Sequence, residues 1–101
     1  MSKTPEGRVK EKIREVLKPY CPALKYFMPV PYGIGASGLD FHGCFRQLAF
    51  VIEAKAAGKQ LTPRQIIEIE SWEASGAKAF VIVGEQDLCK LETWLKAVAA
   101  Q

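Results

Sequence analysis

The chain has 101 residues, 49% apolar and 25% charged, which is enough for one small core and too little for two domains. Its net charge of +3 permits a polyanionic partner without requiring one, and no apolar run approaches a membrane span. Three scattered cysteines (Cys21, Cys44, Cys89) and a single histidine, His42, argue against a disulfide frame, a Cys/His zinc site and a Ser-His-Asp triad. The first ten residues, MSKTPEGRVK, lack the apolar stretch of a signal peptide, so the cytoplasm is the expected compartment.

From Thr4 to roughly Lys18 the sequence reads as a helix. Thr4 suits the N-cap, Pro5 suits the first helical position, and Val9, Ile13, Val16 and Leu17 recur at helical spacing. Pro19 and Pro22 stop it. Tyr26 to Pro31 (YFMPVP) is β-prone, but its two prolines imply an edge or irregular strand. The segment YGIGASG is a flexible glycine loop. Strands are expected from about Leu39 to Gly43 and from Gln47 to Lys55, paired as a hairpin through Gly43 to Arg46. The loop AAGKQ leads to a second helix, Thr62 to about Ser75, ended by Gly76. Ala79 to Val83 (AFVIV) reads as a buried strand. A last helix from about Gln86 to Ala99 carries Leu88, Leu91, Leu95 and Val98 on one face. The order α-β-β-β-α-β-α predicts a small α/β sandwich around a mixed sheet.

The chemistry concentrates in LDFHGCFRQLAFVIEAK. Strand side chains alternate faces, so Glu53 and Lys55 emerge together while Ala54 points away. In a hairpin, Asp40 approaches Glu53 from the neighbouring strand. Two carboxylates and an ammonium then converge, the set that metal-dependent phosphodiester hydrolysis needs: hard oxygen ligands for Mg²⁺ and a cation beside the attacking water. Two polar residues also interrupt apolar stripes. Glu6 falls on the wheel with Val9, Ile13 and Leu17, and Gln65 with Leu61, Ile69 and Trp72. If both helix ends approach Asp40, Glu53 and Lys55, these outliers join the site.

Taken together, TPEGRVK, GIGASGLDFHG, FVIEAKAAGKQLTPRQ and SGAKAFVIVG resemble the VRR-NUC family within the PD-(D/E)xK nuclease superfamily. The likeness spans nearly the whole chain. The family's proline before the aspartate is replaced here by Leu39, a change of backbone geometry and not of chemistry. The resemblance implies a restriction-endonuclease-like fold and Mg²⁺ or Mn²⁺ as cofactor. It implies metal ligands at Asp40, Glu53 and the Ala54 backbone carbonyl, with Glu6 as a helix-borne carboxylate. Lys55 matches the lysine that orients or polarises the attacking water. Gln65 matches a glutamine that orients Lys55 or a metal-bound water. It further implies a structure-selective DNA endonuclease, first of all a Holliday-junction resolvase of bacterial or bacteriophage type. Resolution takes paired incisions on a two-fold substrate, so a C₂ homodimer is expected.

Other readings stand beside these. An acidic Glu6 near a helix N-terminus offsets the macrodipole, and Thr62-x-x-Gln65 is a capping box. His42 shares the strand face of Asp40, where it either touches a phosphate or is a polar strand-end residue. Lys59 and Arg64 are candidate contacts to a nucleic-acid backbone, as are Lys78, Lys3, Arg8 and Lys10, although most surface charges only solvate. Trp72 and Trp94 read as core or interface aromatics rather than as base-stacking platforms. The functional alternatives are a flap, nick, single-strand or restriction-like nuclease needing partners, and a non-catalytic DNA-binding module on the same fold.

Overall fold

The structure, a computed structural model, describes residues 4–30 and 38–101. Helix α1 spans Pro5–Leu17. Thr4 caps it by accepting the Gly7 N–H on Oγ1 at 3.0 Å, and its buried stripe is Val9, Ile13 and Leu17. A 3₁₀ turn, Lys18–Tyr20, follows where Pro19 ends the α-helical ladder. Three strands come next: β1 (Leu24–Phe27), β2 (Phe41–Phe45) and β3 (Leu48–Lys55). Helix α2 (Pro63–Ala74), strand β4 (Lys78–Val83), a second 3₁₀ turn (Glu85–Asp87) and helix α3 (Leu88–Ala99) complete the order.

The four strands form one sheet in the order β1-β2-β3-β4. The first three are antiparallel neighbours, whereas β4 runs parallel to β3. A parallel neighbour requires a crossover, and α2 supplies it. The result is a mixed sheet in an α/β protein. One face carries Phe41, Phe50, Ile52, Phe80 and Ile82 against α1 and against Leu91, Leu95 and Val98 of α3. Burial of each such side chain contributes about 1.5–3 kcal/mol. Trp94 stands edge-on to Phe50 and Phe80 at 5.7 and 5.5 Å, a core aromatic as its sequence position suggested. The other face is covered by α2, where Leu39 and Val51 pack on Ile69 with Trp72 alongside. Among the described residues, no helix is long and apolar enough to cross a membrane. All three cysteines are free and exposed.

Three expectations are corrected. The first strand lies at Leu24–Phe27 rather than 26–31. Leu24 is buried and anchors it, while Pro29 has no N–H to give to a ladder. The hairpin turn is not Gly43 to Arg46 but the two residues Arg46 and Gln47, with φ of 52° and 72°; paired left-handed residues are the I′ geometry that matches strand twist. Gly43 instead pairs with Phe50 inside β2. A Cβ there would lie 2.4 Å from the Phe50 ring and 2.6 Å from the Lys25 carbonyl oxygen, so the glycine admits the ring rather than bending the chain. The third correction concerns the last helix, which starts at Leu88 after the 3₁₀ turn. Asp87 accepts the Val83 N–H at 2.9 Å and holds that turn against the end of β4. The expected glycine loop lies outside the described residues except for Gly38.

Candidate active site

The β2–β3 ladder brings the acidic pair together. Phe41 pairs with Ile52, and one further step sets Asp40 opposite Glu53. Directly opposed residues share a face, and this face is the one covered by α2. Asp40 also replaces a missing strand partner: its Oδ2 accepts the Ala54 N–H at 2.8 Å. The N–H and C=O of one strand residue project to the same side, so the Ala54 carbonyl also points toward Asp40, past the end of β2. Lys55 faces the other neighbour, its carbonyl accepting the Gly84 N–H at 2.8 Å.

Among the described residues Glu53 is the one buried charged side chain, with 4% exposure. Burial first, and then the adjacent charge of Asp40, push its carboxyl up to about 7, against the opposing pull of Lys55. Lys55 lies on the same strand face with Nζ 4.0 Å from Glu53 Oε2. Its side chain is nearly as enclosed, at 12% exposure.

Gln65 unites the two roles its sequence position allowed. Its backbone N–H donates to Thr62 Oγ1 at 3.2 Å and its Oε1 accepts the Thr62 N–H at 2.9 Å, a complete capping box. That bond orients the amide so that Nε2 donates to Glu53 Oε2 at 2.9 Å. Gln65 therefore holds Glu53, where the resemblance implied that it orients Lys55 or a metal-bound water.

Glu6 is placed differently from the acidic pair. It projects from the first turn of α1 and meets Lys10, one turn on, at 3.6 Å. Lys10 Nζ lies 3.2 Å from Asp40 Oδ1, so an ammonium joins the two carboxylates. Burial works to lower the Lys10 pKa, but Asp40 and Glu6 outweigh it and hold the ammonium above its usual value. Among the described residues no three His, Cys, Asp or Glu side chains gather at metal-holding distance; the close acidic pair is Asp40 and Glu53. Lys10, expected from the sequence only as a candidate contact to a nucleic-acid backbone, stands inside the site beside Asp40. Its i,i+4 spacing from Glu6 was a readable sign.

His42 faces α2 beside Asp40, as the alternation required. Its ring stacks on Phe27 at 5.6 Å and meets Trp72 edge-on at 5.0 Å. Its Nε2 is buried without a hydrogen-bond partner. Burial lowers its pKa, opposed by Glu68 and a backbone bond to Leu39. Lys59 and Arg64 are exposed on the β3–α2 loop and the first turn of α2, at the same end of the sheet as Lys55.

Comparison with protein-family models, curated proteins and solved structures returned no match.

Proposed function

We propose that the chain is a Mg²⁺- or Mn²⁺-dependent DNA endonuclease with a restriction-endonuclease-like, VRR-NUC-like fold. The observation that carries the reading is the opposition of Asp40 and Glu53 across one ladder, with Lys55 Nζ 4.0 Å from Glu53. The donor set fits a hard dication. Two adjacent carboxylates repel each other, Glu53 is pushed up to about 7, and a bound dication offsets both the repulsion and the cost of burial. Asp40, Glu53 and the Ala54 carbonyl would hold it. When bound, such an ion supplies a nucleophilic hydroxide at neutral pH and charge stabilisation at phosphorus.

The chain's own groups have separate tasks. Gln65 fixes Glu53 Oε2, keeping one carboxylate oxygen oriented. Lys55 stands as a fixed cation for the negative charge that grows during phosphoryl transfer. Lys10 neutralises Asp40 in the metal-free protein. A domain of this size offers little surface of its own for reading base edges, so its own contribution to selectivity should follow DNA shape and deformability. A four-way junction is the first substrate, resolved by a homodimer in a bacterial or phage-infected cytoplasm.

The test is incubation with labelled four-way junction, flap, nicked and linear DNA, with Mg²⁺ or Mn²⁺ and with chelator. Metal-dependent scission of the junction is the expected result. Folded protein that leaves every substrate intact would refute the endonuclease. Light scattering that shows a monomer even with junction DNA would refute the resolvase.

A further inference from the structure

The α2 face of the sheet is not covered along its whole width. Around Phe27, His42 and Trp72 lies a cleft of about 310 Å³, close to Asp40 in the chain and on the same face. Phe27 pairs with His42 across β1 and β2, and the two rings are nearly parallel, 25° apart. Trp72 closes the inner wall by meeting His42 edge-on. Yet Phe27 is 62% exposed, so contact with His42 leaves more than half of the residue uncovered. A phenylalanine on an edge strand gains nothing in stability from such exposure.

We propose that Phe27, backed by His42 and Trp72, is a stacking platform for an unpaired nucleobase next to the phosphate that is cut, a specificity element resting on the endonuclease reading. Distance supports the placement. His42 is two strand positions, about 7 Å, from Asp40, a step comparable to one nucleotide in an extended strand. Phe27 lies one strand beyond His42 on that same face, so its ring stands beside the path of a strand leaving the acidic pair. The chemistry also fits, because aromatic faces bind any base and need no hydrogen-bond code. Charge separates this occupant from a second protein chain. Lys25, exposed on the same strand and face, flanks the ring. Lysine is depleted from protein–protein interface cores, whereas single-strand sites combine cations with aromatics. The consequence is that the enzyme acts where bases are unstacked, at a branch point, flap or single-stranded stretch, and not within a continuous duplex.

The experiment uses the full chain, its Phe27→Ala and Phe27→Trp variants, and paired substrates: branched DNA with unpaired bases flanking the cut, and the same DNA with abasic sites there. Binding is followed by fluorescence anisotropy in metal-free protein, and cleavage with Mn²⁺. Wild type should bind the intact strand roughly tenfold tighter than the abasic one. Phe27→Ala should erase that preference, Phe27→Trp should keep it, and melting temperatures should stay close. Equal affinity of wild type for both substrates, or an unchanged preference in Phe27→Ala, overturns the proposal. So does light scattering in which Phe27→Ala turns a dimer into a monomer, since the ring is then an interface between copies. A protein that cuts DNA but ignores abasic sites refutes the platform and leaves the endonuclease standing. Base-dependent binding with no scission under any metal refutes the endonuclease, and with it the placement beside a cut phosphate.

Discussion

The side-chain amide of Gln65 donates to Glu53 at 2.9 Å while its oxygen accepts the Thr62 N–H at 2.9 Å, so the start of α2 and the acidic strand are locked by one group. Capping and site geometry thereby become separable by mutation. Thr62→Ala removes the hydroxyl that accepts the Gln65 N–H, and should cost about 1 kcal/mol while leaving cleavage near wild type. Gln65→Ala should lose similar stability and also lower turnover at least roughly tenfold, because Glu53 Oε2 loses its donor. Thermal melts and single-turnover rates on junction DNA distinguish the two variants. Equal turnover in both would remove Gln65 from the site.

Asp40→Asn, Glu53→Gln and Lys55→Ala should each reduce metal-dependent cleavage by roughly a hundredfold or more while the protein stays folded. Asp40→Ala should be less stable than Asp40→Asn by about 1–3 kcal/mol, because the Ala54 N–H loses its acceptor at the edge of the core. Circular-dichroism melts beside cleavage assays check both parts.

Stability should depend on pH through Glu53 and His42, in opposite directions. The Glu53 carboxyl ordinarily titrates at 4.5 and is pushed up to about 7 in the fold. Between those values the native state binds more protons than the unfolded chain, so this group lowers stability as pH rises through the window. His42 acts oppositely: its pKa is lowered from 6.5, so its contribution is present above 6.5 and lost as pH falls. Denaturant titrations of metal-free protein from pH 4.5 to 8 should show the wild type losing stability toward pH 7 relative to Glu53→Gln. A difference between the two that does not vary with pH would contradict the raised carboxyl. Adding Mn²⁺ at pH 7.5 should stabilise the wild type and not Glu53→Gln.

Lys10 competes with any cation for Asp40. Lys10→Met removes the ammonium 3.2 Å from Asp40 Oδ1 and should tighten Mn²⁺ binding about two- to fivefold, the scale of a partly exposed ion pair. Calorimetric titration reads this directly, and unchanged or weaker binding would show that Lys10 supports the site instead.

Gly43→Ala should destabilise the protein by about 1–3 kcal/mol or more, since the new methyl group would meet both the Phe50 ring and the Lys25 backbone oxygen. Urea denaturation gives the value. A loss below about half a kcal/mol would mean that the sheet yields there easily.

Much of this arrangement is legible in the chain. Thr4-Pro5 and Thr62-Pro63 mark both helix starts because capping is a local contest for a few N–H groups, and the side chains that win it are few. Alternation along β3 correctly placed Glu53 and Lys55 on one face, whereas the opposition of Asp40 and Glu53 depends on a turn at Arg46 and Gln47 that lies beyond the expected one. The misreadings come from residues whose role is set across the sheet. Gly43 has the composition of a turn and becomes a strand residue only because Phe50 needs its space. Arg46 and Gln47 carry no turn signature, yet both take positive φ, since the ladder on either side fixes where the chain must reverse. The Lys10 bridge depends on where α1 docks, which no local pattern specifies.

The Ala54 amide, tied to a side chain and not to a neighbouring strand, singles out one nitrogen as a spectroscopic sentinel. Its proton resonance and its exchange with heavy water should respond to every event at Asp40, whether ion uptake, protonation or departure of the lysine. Amides deeper in the ladder should remain indifferent, so one cross-peak can follow occupancy in solution without any label on nucleic acid.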